Sequence, residues 1–207
     1  AGNAFLRGPS LYVFVKGEKA GGEHGEPRPS VRAFGPTGLA VVFALLAKRE
    51  LLDATVREMA RATDVAHGTV GWVMNDLRQL GFLVEVEGRR RLVQAERLLD
   101  LWTEAYIRAL APRLRLGRYQ GDLSGIKAPL PDLGSARVGG ELGGALLTRH
   151  LRPQSAYVYT QGIDPSIVRP LKLKADPNGN VEVRTRFWNF ETEPSGFAPP
   201  LLIYADL

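Results

Sequence analysis

Four side chains between positions 67 and 75 have the donors, acceptors and apolar surface that can read the edges of bases. The Asn75 carboxamide can pair bidentately with adenine, while the Thr69 methyl and the Trp72 ring can touch a thymine methyl. His67 adds an imidazole at the start of the same stretch. Three consecutive guanidiniums, Arg89, Arg90 and Arg91, offer planar forks that suit phosphate oxygens. A second set, Asp164, Asp176 and Glu182 with Arg184, has the carboxylates of a site that holds a cation and activates water. Glu182-Val183-Arg184 stands where Glu-x-Lys would be wanted, so that fit is poor. His24, His67 and His150 are scattered without metal-ligand spacing, cysteine is absent, and no Ser-His-Asp set or phosphate loop occurs. No catalytic residue, metal or cofactor is therefore expected.

Reading base edges requires a helix that can enter a groove, and the spacing predicts one over 67–80. Val70, Val73, Met74, Leu77 and Leu80 form one apolar stripe. Thr69, Trp72, Asp76 and Gln79 fall on the opposite face, flanked by Gly68, Gly71, Asn75 and Arg78. Each glycine costs about 1 kcal/mol of helix stability relative to alanine. A helix that only packed would have little use for them, whereas one whose first turn approaches a duplex gains room. Asp76 reads as a restraint, repelling phosphate unless Arg78 offsets its charge.

Thr37 after Pro36 can cap an earlier helix with Leu39, Val42, Phe43 and Leu46 on one face. Leu51 and Leu52 are expected to begin a short strand. Thr55-Val56-Arg57-Glu58 is a capping box opening a second helix that ends near 62, and Asp64-Val65-Ala66 supplies the turn. Gly81 ends the third helix, and 82–87 and 90–95 read as strands around a turn at Gly88, Arg89 and Arg90. Helix, helix, turn, helix and basic hairpin is the order of a winged helix-turn-helix, here over 37–95. The candidate DNA-binding residues are His67, Gly68, Thr69, Gly71, Trp72, Asn75, Arg78, Arg89, Arg90 and Arg91. Each part has a plainer reading. Hairpin arginines are often only solvated, Trp72 could be buried against another domain or a dimer partner, and winged helices also serve as protein-interaction modules.

Net charge is +5 and 44% of the 207 residues are apolar, enough to fill one large or two modest cores. The charge is unevenly placed. Residues 37–110 hold ten Lys/Arg against ten Asp/Glu, while 111–152 hold seven against three. The electrostatic case for DNA therefore rests on individual arginines. A cytoplasmic protein with no membrane partner is expected, since neither an 18-residue apolar run nor a charged-then-apolar leader occurs.

The fold class expected is α+β, a winged helix-turn-helix followed by a small mixed α/β domain. Residues 11–16 read as a strand and the Gly-, Pro- and charge-rich stretch 17–36 as a flexible connector, so 1–36 is taken as the remnant of an upstream region. Residues 96–134 form a linking helix (95–110, with Trp102 and Tyr106) and a loop where periodicity is lost over 117–134. The C-terminal domain, 135–207, opens with a helix over 138–151. There Gly139, Gly140, Gly143, Gly144 and Ala145 allow close packing. A strand at 156–162, a hairpin of 171–176 and 180–187 around Pro177-Asn178-Gly179, and an apolar strand at 201–205 complete it.

These residues also carry a family resemblance. FGPTGLAVVFALL, REMARATDVAHGTVGWVMNDLRQLGFLVE, ERLLDLWTEAY, VGGELGGALLTRHLRP and PPLLIYADL resemble the AbiEi-type family, antitoxins and transcriptional regulators of type IV toxin–antitoxin systems. The likeness runs over most of the chain, and VAHGTVGWV and VGGELGGALLT are its distinctive parts. AGNAFLRGPSLYVFVKG resembles the middle of longer members, and a further helix is expected past Leu207, so a trimmed chain is implied. The resemblance implies an autorepressor bound to double-stranded operator DNA in its own promoter, with a homodimer as a further candidate assembly. It also implies a functional antagonist of a nucleotidyltransferase toxin that forms no stable complex with it. Of site residues, only the region 67–75 and the wing carry over. Two readings from other classes stay open, a winged-helix interaction module and a degenerate metal-dependent nuclease.

Overall fold

The β-branched and aromatic run at 11–15 is extended, as such side chains favour. β1 (Ala4–Gly8) and β2 (Leu11–Val15) pair antiparallel, with Ala4 opposite Val15 and Gly8 opposite Leu11. The computed structural model describes residues 4–8, 11–15 and 32–207, the last range without 125, 128, 129, 131, 151 and 192; for 4–8 and 11–15 it describes the backbone alone. The hairpin belongs to one compact unit, Ala1–Ser30, and all that follows to another, Val31–Leu207. Most of the connector expected over 17–36 lies outside the described residues. Its last part is not a loop, because Arg32–Phe34 forms a 3-10 turn whose Ala33 is fully buried.

α1 (Pro36–Ala47) starts on a proline whose fixed φ suits the first helical position. Gly35 holds the cap position, so Thr37 is not the cap. Leu39 through Leu45 are all buried, which means that α1 is covered on several sides. The strand expected at Leu51 and Leu52 is instead a 3-10 turn, Arg49–Leu52, which reverses the chain towards the next helix while burying Leu52. α2 (Val56–Thr63) opens with the expected capping box. Thr55 Oγ1 accepts from the Glu58 amide at 3.2 Å, and Glu58 Oε2 accepts from the Thr55 amide at 2.7 Å. That amide bond holds the Glu58 carboxyl below its usual range.

α3 (His67–Gln79) buries Val70, Val73, Met74 and Leu77 as expected, but Leu80 is exposed. The helix ends in a Schellman turn at Gly81, φ 77°. There the Gly81 amide donates to the Arg78 carbonyl at 3.1 Å and the Phe82 amide to the Leu77 carbonyl at 2.8 Å. The turn rotates Leu80 outward and puts buried Phe82 in its place. β3 (Leu83–Val86) and β4 (Arg89–Leu92) follow as an antiparallel hairpin with Val86 opposite Arg89. Glu87 (φ 52°) and Gly88 (φ 74°) form its two-residue turn, so the tip lies ahead of the arginines rather than among them.

The linking helix is longer than expected. α4 (Ala95–Ala105) continues through a π-helical turn, Tyr106–Leu110, into α5 (Ala111–Leu114). Pro112 has no N–H to give the Arg108 carbonyl, and the helix widens just before it. β5 (Arg115–Gln120) then occupies part of the stretch expected to be irregular. β6 (Arg137–Gly139) leads into α6 (Gly140–Thr148), which is shorter than the helix expected over 138–151. β7 (Ala156–Thr160), α7 (Pro165–Val168), β8 (Lys174–Ala175) and β9 (Val181–Thr185) complete a five-stranded sheet in the order β6-β7-β9-β5-β8.

β9 runs parallel to β7 and antiparallel to β5. The hairpin expected around Pro177-Asn178-Gly179 is therefore not formed, since β8 pairs with β5, Tyr119 opposite Ala175. Val181 to Arg184 are buried throughout, as in a central strand covered on both faces. The apolar run expected as a strand at 201–205 is a helix, α8 (Pro200–Ala205), opened by Pro200 with Leu202, Ile203 and Ala205 buried. It packs on α6, whose small residues admit the close approach expected of them. The class is α+β. Its main core joins α1, α3 and α4 to Tyr159, Trp188, Phe190 and Leu202, and a second core includes Leu123, Val138, Ile167 and Val183.

Candidate nucleic-acid interface

On α3 the buried stripe leaves His67, Gly68, Gly71, Trp72, Asn75, Arg78 and Gln79 exposed, with Thr69 half-buried. A methyl group added at Gly68 or Gly71 would meet nothing within 4 Å. Internal packing therefore does not require these glycines, and the room they leave opens outward. Trp72 is 52% exposed and is not buried among the described residues. The Arg32 guanidinium lies over its ring, 4.4 Å from the centroid. Asp76 is not offset by Arg78 in the way its charge suggested. Its Oδ2 accepts the Ala33 amide at 3.0 Å and so ties the 3-10 turn to α3.

The three wing arginines are not equivalent. Side chains alternate along a strand, which leaves Arg89 and Arg91 exposed while Arg90 turns inward and is half-buried. Arg90 Nη1 donates to the Ala54 carbonyl at 3.2 Å, and Glu85 lies opposite it across the hairpin. Arg90 thus fastens the wing to the chain ahead of α2. The double variant Arg89→Ala/Arg91→Ala should flatten the slope of log affinity against log salt by about 2, one unit per lost phosphate contact, with the melting temperature unchanged. Arg90→Ala should lower the melting temperature instead. A slope untouched by the double variant removes the wing from the interface.

The carboxylates considered for a cation site are all engaged elsewhere. Asp164 caps α7 by accepting the Ser166 amide at 2.7 Å, and Asp176 accepts the Asn178 amide at 2.8 Å. Glu182 is buried among Arg115, Arg118 and Arg184 at 3.0, 2.9 and 2.8 Å. Three guanidiniums around one carboxylate repel a metal ion, so Glu182 offers no cation site. Burial opposes ionisation of Glu182, but its bonds to Arg118 and Arg184 outweigh this and hold the carboxyl below its usual range.

Arg184 extends the network into a cluster that sequence reasoning missed. Its Nη1 donates to the Tyr106 hydroxyl and to Asp206 Oδ1, both at 2.9 Å, and the Tyr159 hydroxyl donates to Asp206 Oδ2 at 2.6 Å. Burial pushes the Asp206 carboxyl and both tyrosine hydroxyls up. The signal for it was alternating charge, Glu182 and Arg184, inside an otherwise apolar strand.

A helix-turn-helix with an open outer helix and a basic hairpin defines a winged-helix protein, here continuous with a sheet-bearing body. Residues 91–207 match the family described as "Transcriptional regulator, AbiEi antitoxin, Type IV TA system". The match takes in more than half of the chain, and the protein belongs to that family of transcriptional regulators. No curated protein and no solved structure matches the chain. Among the described residues no helix is long and apolar enough to cross a membrane.

Proposed function

We propose that this chain binds double-stranded DNA through α3 and the wing, represses its own operon from a site in its promoter, and counters the activity of a nucleotidyltransferase toxin without holding it in a stable complex. The observation that carries the DNA reading is the outward face of α3. Apart from Trp72 it is polar, it is uncovered among the described residues, and it is cleared of side chains at Gly68 and Gly71, where a helix entering a major groove comes closest to bases. The family match begins at Arg91, within β4. Support for the reading helix therefore comes from its own geometry, while the antitoxin role comes from the family. A regulator of this kind works in the cytoplasm.

The test uses the DNA upstream of the gene and a mixed-sequence duplex at one salt concentration. Asn75 is exposed on α3 and can pair bidentately with adenine, a contact worth about 1–3 kcal/mol of discrimination. Asn75→Ala should weaken binding to the upstream DNA by that amount, roughly 5- to 150-fold, and leave the mixed duplex nearly unaffected. A melt run beside it checks the fold. Equal losses on both duplexes, or no loss on either, would show that α3 does not read sequence.

A further inference from the structure

We infer that Arg32, held on the indole of Trp72, is a DNA-phosphate contact of the reading helix supplied from outside the helix-turn-helix. The inference rests on the DNA reading proposed above and adds a residue and a ligand atom to it.

The 3-10 turn Arg32–Phe34 is fixed from three directions. Ala33 is fully buried and its amide donates to Asp76 Oδ2 on α3 at 3.0 Å. The Gly35 amide donates back to the Arg32 carbonyl at 3.1 Å. α1 lies hard against the turn as well, since a Cβ on Gly38 would sit 1.9 Å from the Arg32 carbonyl oxygen. With its backbone set in this way, the exposed Arg32 side chain reaches α3 and places its guanidinium 4.4 Å from the centre of the Trp72 ring.

A guanidinium held over an indole still has N–H groups to offer an acceptor, since it carries five of them. No hydrogen bond or ion pair from the Arg32 side chain occurs among the described residues, and Asp76, whose carboxylate lies at this turn, already accepts the Ala33 amide. Among the described residues the arginine therefore has no acidic partner. It sits beside the face of α3 that carries Asn75, on the flank shared by Trp72 and Asp76. A residue flanking a helix in the major groove meets the sugar–phosphate wall rather than the base edges. Residues 37–110 carry no net charge of their own, so a cation brought in from position 32 changes the electrostatics of the face. Immobilising the side chain on an indole also removes part of the rotamer entropy that binding would otherwise cost.

The test compares the full chain with Arg32→Ala, Trp72→Ala and the double variant, on the upstream DNA and on a mixed-sequence duplex across a salt series. One lost phosphate contact should flatten the salt slope by about 0.9 and weaken both duplexes about eightfold near 0.1 M salt. Adding Arg32→Ala to Trp72→Ala should change the slope much less than Arg32→Ala does alone, because the shelf is already gone. An unchanged slope in Arg32→Ala, with the wild type binding both duplexes, overturns this inference and leaves the DNA reading standing. A loss confined to the upstream DNA assigns Arg32 to base reading and overturns the phosphate contact. A wild-type protein that binds neither duplex overturns both proposals.

Discussion

Replacing Trp102 by alanine should lower the unfolding free energy by about 3–5 kcal/mol, the range for deleting a large buried aromatic. The indole is fully buried, stacked on Tyr106 at 4.9 Å and 13° and on Phe43 at 5.4 Å and 26°, and its Nε1 donates to the Leu39 carbonyl at 2.9 Å. Alanine leaves a cavity where α1 and α4 meet, and neither helix can close it because each is anchored elsewhere. Trp102→Phe keeps an aromatic ring in the stack but loses the hydrogen bond and part of the buried volume, so it should cost less than alanine, about 1–3 kcal/mol. Urea melts of both variants decide the matter. A cost under about 2 kcal/mol for alanine would mean that the centre of the main core lies elsewhere.

The elements easiest to read in the sequence were those whose signals are local. The capping box at Thr55 and Glu58, the stripe from Val70 to Leu77 and the stop at Gly81 each depend on neighbours within a turn or two, and each appears in the structure. What failed depended on distant partners. The strands at 174–175 and 181–185 were rightly taken as extended, but strand composition does not say which strand lies alongside, and β9 took β5 and β7 instead of β8. The run at 201–205 is too short for periodicity to separate helix from strand, and the pair of prolines before it was the better guide. Arg32 was assigned to a connector because its neighbours are Gly, Pro and charge; only Asp76, more than forty residues later, gives the turn a partner. Arg90 was within reach. Placing the two-residue turn at Glu87 and Gly88 fixes the alternation, which sends Arg90 to the opposite face from Arg89 and Arg91.

Asp206→Ala should cost about 3 kcal/mol, the low end for breaking a buried pair, because it leaves the Arg184 guanidinium with Glu182 alone, a carboxylate already shared with Arg115 and Arg118. Asp206 accepts hydrogen bonds from Arg184, Tyr106 and Tyr159, and the side chains of Asp206 and Arg184 are only 1% and 8% exposed. Its loss leaves a guanidinium and two hydroxyls short of an acceptor in a place that water scarcely reaches. Replacing both members by apolar residues of similar volume, Arg184→Met with Asp206→Leu, should be less damaging than Asp206→Ala alone, since no charge is then stranded and Glu182 keeps Arg115 and Arg118. Urea melts of the single and double variants measure this. A single variant that melts like the wild type would show that Arg184 is stabilised without Asp206.

Phe43 on α1 packs against Phe187, Trp188 and Phe190, with ring centres 4.9, 5.6 and 6.0 Å away, and Asn189 donates to the carbonyls of Ala62 and Arg61 at the end of α2. On the ribosome these contacts come late. By the time α4 has emerged, α1 has only part of its cover, and the rest lies in chain still to be made. At about 5–20 residues per second that interval lasts several seconds. The cover of α1 is therefore complete only after the aromatic segment at 187–190 has closed over it. A chain that stops before that segment should leave part of the apolar surface of α1 open to aggregation and to proteases.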